Sequence, residues 1–131
     1  MSRTVYLNGE YLPEAEAKVS IFDRAFLMAD GVYEVTSVLD GKLIAFDGHL
    51  KRLVRSLSEL EIRNPLTEAE WLEIHRQLVA QNGITDGLVY LQVTRGAPGD
   101  RDFAWPDPET CVPGVVLFTQ NKPGLAESPA A

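Results

Sequence analysis

The sequence predicts an α+β domain, an antiparallel, hairpin-rich sheet with two main helices. Three observations carry that prediction. Asn8-Gly9 and Asp40-Gly41 each lie between short apolar runs, and both dipeptides tolerate the positive φ angles that a two-residue hairpin turn demands. Two segments, one after Asp47 and one after Thr67, repeat apolar residues at helical spacing. Two further apolar runs, Leu88 to Thr94 and Val115 to Thr119, supply additional strands.

The 131 residues, 45% apolar and 24% charged, are enough for one domain with its own core. Twelve basic residues against nineteen acidic ones leave a net charge of −7, so the electrostatic attraction that drives nucleic-acid binding is missing. Cys111 is the only cysteine, so no internal disulfide forms, and with two histidines it offers no zinc spacing. A reduced cytoplasmic setting fits this usage. No apolar run approaches membrane-spanning length, so the chain is expected to be soluble.

In order, Thr4 to Leu7 and Glu10 to Leu12 flank Asn8-Gly9 as an opening ribbon that Pro13 ends. Glu14 to Lys18 is a polar connection, and Val19 to Met28 reads as an irregular buried loop interrupted by Asp23-Arg24. Charges of opposite sign between Phe22 and Phe26 are explained by a local ion pair or by capping hydrogen bonds. Gly31 then leads the β-branched run Val32 to Leu39, and Lys42 to Phe46 returns after the Asp40-Gly41 turn. That register pairs Ser37 with Ile44 and Val35 with Phe46. Alternation sets Tyr33, Val35 and Ser37 on one face and Glu34, Thr36 and Val38 on the other.

Asp47 is expected to cap a helix whose apolar stripe is Leu50, Leu53, Val54, Leu57 and Leu60, with Arg52, Arg55 and Glu59 on another face. Asn64-Pro65 breaks it. Thr67 and Glu70 form the Thr-x-x-Glu box that starts a second helix, with Trp71, Ile74, Leu78 and Val79 as its buried stripe and Asn82-Gly83 as its stop. His75, beside that stripe with no second ligand nearby, reads as a satisfied or solvent-facing histidine. Leu88 to Thr94 is nearly continuously apolar, as in a strand buried on both faces. Arg95 at its end is either a structural salt-bridge residue, paired with Asp100 or Asp102, or a ligand contact displayed on the loop that follows. Pro106 to Pro113 is a rigid turn-rich link, and from Gln120 the composition shifts to that of a linker or tail.

Tyr6-Leu7-Asn8-Gly9, Asp23-Arg24-Ala25-Phe26, Asp30-Gly31-Val32-Tyr33-Glu34-Val35, His49-Leu50-Lys51-Arg52-Leu53 and Gln92-Val93-Thr94-Arg95-Gly96 together resemble the fold-type IV aminotransferases that use pyridoxal 5'-phosphate (PLP). The Gly-Val-Tyr-Glu-Val stretch is most similar to the D-amino acid (D-alanine) aminotransferases. Branched-chain aminotransferases, aminodeoxychorismate lyases and R-amine transaminases share the fold, and a non-catalytic small-acid-binding or dimerisation domain is the reading from another class. The resemblance implies the small N-terminal domain of the D-amino acid aminotransferase-like fold, spanning 1–119, with 120–131 leading toward a missing C-terminal domain.

It also implies roles for individual residues. Arg52 binds the cofactor phosphate, for which a guanidinium fork is well shaped. Tyr33 lines the substrate side, and Arg101 is the loop arginine that reaches across a homodimer interface to the α-carboxylate of a D-amino acid or 2-oxo acid. Glu34 is part of the motif but is assigned no direct chemistry, a structural hydrogen bond to backbone being an equal reading. Phe103 stands where the D-amino acid enzymes place a histidine. The family's Schiff-base lysine belongs to the second domain, and none of Lys18, Lys42, Lys51 and Lys122 occupies its motif, so the chain by itself is expected to be inactive. Arg52 and Tyr33 are expected to wall one pocket.

Overall fold

The computed structural model describes residues 2–124. Its centre is one six-stranded antiparallel sheet, ordered β2-β1-β6-β5-β3-β4. The opening hairpin is the predicted one: β1 (Thr4–Leu7) pairs with β2 (Glu10–Pro13) around Asn8 and Gly9, both at positive φ. β6 (Gly114–Asn121) joins this ribbon to β5 (Gly87–Thr94), which pairs along its whole length with β3 (Gly31–Leu39). β6 runs two residues past the expected domain boundary at Thr119, pairing Gln120 with Leu88 and Asn121 with Gly87. Most of the expected tail, 125–131, lies outside the described residues.

The second hairpin keeps its predicted turn but not its predicted length. Asp40 and Gly41 adopt positive φ, and the Ile44 amide donates to the Ser37 carbonyl at 2.9 Å, as the register requires. β4 is only Lys42–Leu43. Ala45 then turns left-handed at φ 55 and directs the chain into α2 (Phe46–Glu59), so Val35 faces Tyr90 on β5 and never meets Phe46. Ala45 also holds the cap position that was expected of Asp47, which lies in the first turn. There its charge complements the helix dipole without a capping bond.

Leu50, Leu53 and Leu57 of α2 are buried, whereas Val54 and Leu60 are exposed, so the true stripe is narrower than the apolar pattern. α3 (Glu68–Gln81) matches its prediction: Thr67 and Glu70 form the capping box, Trp71, Ile74, Leu78 and Val79 are buried, and Asn82 precedes Gly83 at φ 59. His75 lies inside this stripe, fully buried, and its Nδ1–H donates to the Trp71 carbonyl.

Both helices lie against one face of the sheet. Val38, Val89, Leu91, Val93, Val115 and Leu117 meet the leucines of α2 and the stripe of α3 there. The opposite face carries Leu88, Tyr90, Gln92, Val116 and Phe118, which are only half-buried. β5 is therefore not buried on both faces as its composition suggested, because no second layer covers that side among the described residues. The segment 19–28 is likewise not a buried loop. Val19, Ile21 and Phe26 are exposed, and α1 (Arg24–Met28) is a short helix whose cap is Asp23, accepting from the Ala25 amide at 2.9 Å.

Candidate active site

Tyr33 and Glu34 are neighbours on β3, and the pleat sends them to opposite faces, as alternation requires. Tyr33 is 63% exposed and stacks on Tyr90, which in turn stacks on Phe118, with ring centroids 5.7 and 4.9 Å apart. The open face thus carries an aromatic row ending at the Tyr33 phenol. Glu34 points to the helix side, where its buried carboxylate meets α2.

Glu34 is more than a motif residue. Arg52 grips it with both arms of the fork, Nε to Oε2 at 2.8 Å and Nη2 to Oε1 at 2.9 Å, and the His49 ring meets Oε1 at 2.8 Å. One helical turn, from His49 to Arg52, delivers both partners to the same side of α2. Among the described residues two side chains, not backbone, take the Glu34 oxygens. Burial alone pushes the Glu34 carboxyl up, but the hydrogen bonds and charges of Arg52 and His49 outweigh it and hold the group below its usual range. Reciprocally, the Glu34 hydrogen bond and charge, with a smaller contribution from Tyr33, raise Arg52 above its ordinary value.

The Arg52 side chain is nevertheless 61% exposed, and its Nη1 has no partner among the described residues. β4 pairs only with Val38 and Leu39, so the edge of β3 beside Glu34 is open. A guanidinium oriented by a buried carboxylate, with a free donor edge in solvent, can receive an anion without the entropic cost of first ordering its own side chain.

The expected shared wall of Tyr33 and Arg52 appears in none of the main clefts of the described residues. Clefts of about 880, 720, 370 and 320 Å³ lie elsewhere, and none is lined by Tyr33, Arg52 or Arg101. The physical reason is the pleat itself: Tyr33 opens onto the uncovered face and Arg52 onto the helix side of the same strand end. Arg101 sits in the exposed loop after β5 with its guanidinium 4.7 Å from the Phe103 ring centre, bonded to neither Tyr33 nor Arg52.

Arg95 takes its structural reading with a different partner. It pairs with Asp30 at 2.7 Å, not with Asp100 or Asp102. Arg24 shares the same carboxylate oxygen at 2.6 Å. The sequence signal for this cluster was present in Asp23-Arg24 and Asp30-Gly31, but only the pairing of Gly31 with Thr94 brings them to Arg95.

The profile of the class IV amino-transferases matches residues 31–131, a span that contains Tyr33, Glu34, His49, Arg52 and Arg101. The chain belongs to the class IV aminotransferase family. Among curated relatives it is 38% identical over 117 residues to the D-alanine aminotransferase of Staphylococcus aureus (strain MSSA476), covering 89% of this chain and 41% of that protein. It is also 38% identical over 103 residues to the D-alanine aminotransferase of Listeria monocytogenes serotype 1/2a (strain 10403S), covering 79% and 36%. This class IV chain therefore spans about two fifths of the length of the first of these relatives.

Solved structures confirm the fold. The branched-chain amino acid aminotransferase of Escherichia coli superposes with a TM-score of 0.80 at 18% identity, over 93% of this chain and 40% of that one. The branched-chain aminotransferase of the thermophilic archaeon Thermoproteus uzoniensis, solved with norvaline, does so with a TM-score of 0.78 at 21% identity, over 92% and 41%. No helix of the described residues is long and apolar enough to cross a membrane.

Proposed function

We propose that this chain is the cofactor-phosphate and substrate-carboxylate half of a PLP-dependent aminotransferase that moves an amino group between a D-amino acid and a 2-oxo acid. The observation that carries the reading is the Arg52 guanidinium, fixed by Glu34 and open on its Nη1 edge. The residues present fit a phosphate: a permanent cation, oriented in advance, at an uncovered strand edge. Bound there, PLP supplies the electron sink that makes the Cα proton of an amino acid removable.

The chain's own groups bind and orient. Arg52 holds the phosphate, Glu34 holds Arg52, and His49 occupies the other side of the Glu34 carboxylate. Tyr33 presents its hydroxyl on the opposite face toward the substrate, and Arg101 contributes a carboxylate contact to a second copy. The lysine that carries the cofactor is none of Lys18, Lys42, Lys51 and Lys122, so amino transfer needs a further lysine-bearing domain. Exposed Ile21, Phe26, Phe103 and Trp105 favour a homodimer, and the lone buried Cys111 is consistent with the cytoplasm.

The D-amino acid assignment rests on the two D-alanine aminotransferase relatives, since the branched-chain structures speak only for the fold. Phe103 cannot donate to a carboxylate, so Arg101 carries that recognition without the histidine of the D-amino acid enzymes.

An NMR titration of the chain with pyridoxamine 5'-phosphate tests the core of the proposal. Perturbations centred on Glu34, His49 and the Arg52 Nε resonance, abolished by Arg52→Ala, are expected. Perturbations centred elsewhere, or indifferent to Arg52→Ala, overturn it.

A further inference from the structure

The loop from Ala97 to Trp105 has little to hold itself in place. Its internal side-chain bond is short-range, the Ala104 amide to Asp102 Oδ1 at 3.0 Å, while Phe103 and Trp105 are exposed at 75% and 57%. Gly96 begins it at φ 108, with the position a Cβ would occupy 2.3 Å from the Val112 carbonyl, so only glycine fits. Beyond that anchor, the order of the loop comes from outside it.

The outside contacts converge. Arg24, only 4% exposed, places Nη1 at 2.5 Å from the Asp102 carbonyl and 3.2 Å from the Ala104 carbonyl. Its Nε is held on Asp30 Oδ2 at 2.6 Å and its backbone amide on the Gly96 carbonyl at 2.9 Å. The same Asp30 oxygen takes Arg95 Nε at 2.7 Å. Arg95 in turn donates to the Leu60 and Glu61 carbonyls at the end of α2, and its guanidinium carbon lies 4.4 Å from the Trp105 ring centre.

One buried carboxylate thus locks two arginines, and those arginines grip the loop at residues 102, 104 and 105. Burial pushes Asp30 up, but hydrogen bonds and charges from Arg95 and Arg24 outweigh it and keep the group below its usual range. The grip dictates presentation. The carbonyls of 102 and 104 are held by Arg24, while the exposed Arg101 and Phe103 side chains meet each other, guanidinium carbon 4.7 Å from ring centre.

We propose that Arg24, Asp30 and Arg95 are positioning residues for the loop that presents Arg101, setting its direction before any substrate or second copy arrives. The functional half of this inference rests on the carboxylate role of Arg101 given above; the order of the loop does not. Arginine is needed at 24 because one planar group must reach Asp30 through Nε and two carbonyls through Nη1. A lysine ammonium is a single centre that cannot occupy the Nε and Nη1 positions together, so it gives up either Asp30 or the two carbonyls.

Limited trypsinolysis tests it in the chain itself. Cleavage after Arg101 reads the loop, and cleavage after Lys51 or Arg55 inside α2 reads global opening. Arg24→Lys is expected to speed cleavage after Arg101 about tenfold while α2 stays protected, with lowered heteronuclear NOE values over 100–104. Unchanged cleavage and NOE values in a folded Arg24→Lys protein overturn the proposal.

If Arg24→Lys opens globally, Trp105→Ala decides, because an exposed loop side chain can be removed without touching the core. A loop-specific rise of about threefold supports the Arg95 contact, and no rise overturns it. None of these readouts involves a ligand. A wrong role for Arg101 would leave them intact and appear instead as substrate KM values of the complete aminotransferase that do not respond to Arg101→Ala.

Discussion

Two arginine–carboxylate systems sit at the same end of this sheet, and they differ in how far each guanidinium stands in solvent. Asp30 is enclosed by Arg24 and Arg95, whose side-chain hydrogen bonds all end on a carboxylate or a backbone carbonyl. Glu34 is more deeply buried, at 5% against 13% for Asp30, but its partner Arg52 stands mostly in solvent, with no partner for Nη1 among the described residues. Arg95 engages all three of its guanidinium nitrogens and Arg24 engages two, and these buried groups fasten chain segments together. On the proposed reading, a guanidinium that is fixed on one edge and open on the other receives an anion.

The largest expected effect breaks the closed system. Asp30→Asn leaves two buried guanidinium groups short of a countercharge, a change that typically costs about 3–5 kcal/mol, so the urea midpoint should fall sharply. Arg52→Ala should lower that midpoint less, because Arg52 itself is mostly exposed and His49 still meets the buried Glu34 carboxylate. A stable Asp30→Asn protein beside an unfolded Arg52→Ala protein would invert the comparison.

Acid sharpens it. Both carboxylates titrate below their usual ranges in the folded chain, so the stability they contribute is complete at neutral pH and is lost only as pH falls through and below those ranges. His75 acts earlier. Burial chiefly lowers it from 6.5 to about 4, with the Trp71 carbonyl opposing and His49 adding to the fall. The unfolded chain therefore takes up that proton first, and stability drops as pH descends from 6.5 toward 4, by roughly 3 kcal/mol at most at about 1.4 kcal/mol per pH unit. His75→Phe should flatten this window in urea melts at stepped pH and leave the lower, carboxylate window in place. If the two windows disappear together, the histidine is not their origin.

The smallest effect concerns Tyr33. Its hydroxyl makes no hydrogen bond among the described residues and its ring is mostly exposed, so Tyr33→Phe should shift stability in urea by no more than about 0.5 kcal/mol. On the proposed reading, Tyr33→Phe instead raises the substrate KM of an active aminotransferase that contains this domain. A large stability loss would mean that the phenol belongs to the structural system after all.

Much of this arrangement was legible in the residues. Asn8-Gly9 and Asp40-Gly41 specified their turns because few dipeptides tolerate two positive φ angles. Thr67 with Glu70 specified a helix start because both bonds are local. Alternation placed Tyr33 and Glu34 on opposite faces. Asp47 misled because a left-handed Ala45 took the cap position, and β5 misled because an apolar strand composition does not reveal which layer is present to cover it.

Sequence by itself determined the two hairpin turns, the two main helices and the family, since turn chemistry, periodicity and motif spacing are properties of neighbouring residues. Only the tertiary structure decided which carboxylate each arginine meets. Arg95 found Asp30, 65 positions away, and Glu34 gathered His49 and Arg52 from the next helix. Ion pairs at such separations depend on strand register and on the packing of α2 against β3, neither of which is written in any local run of the chain.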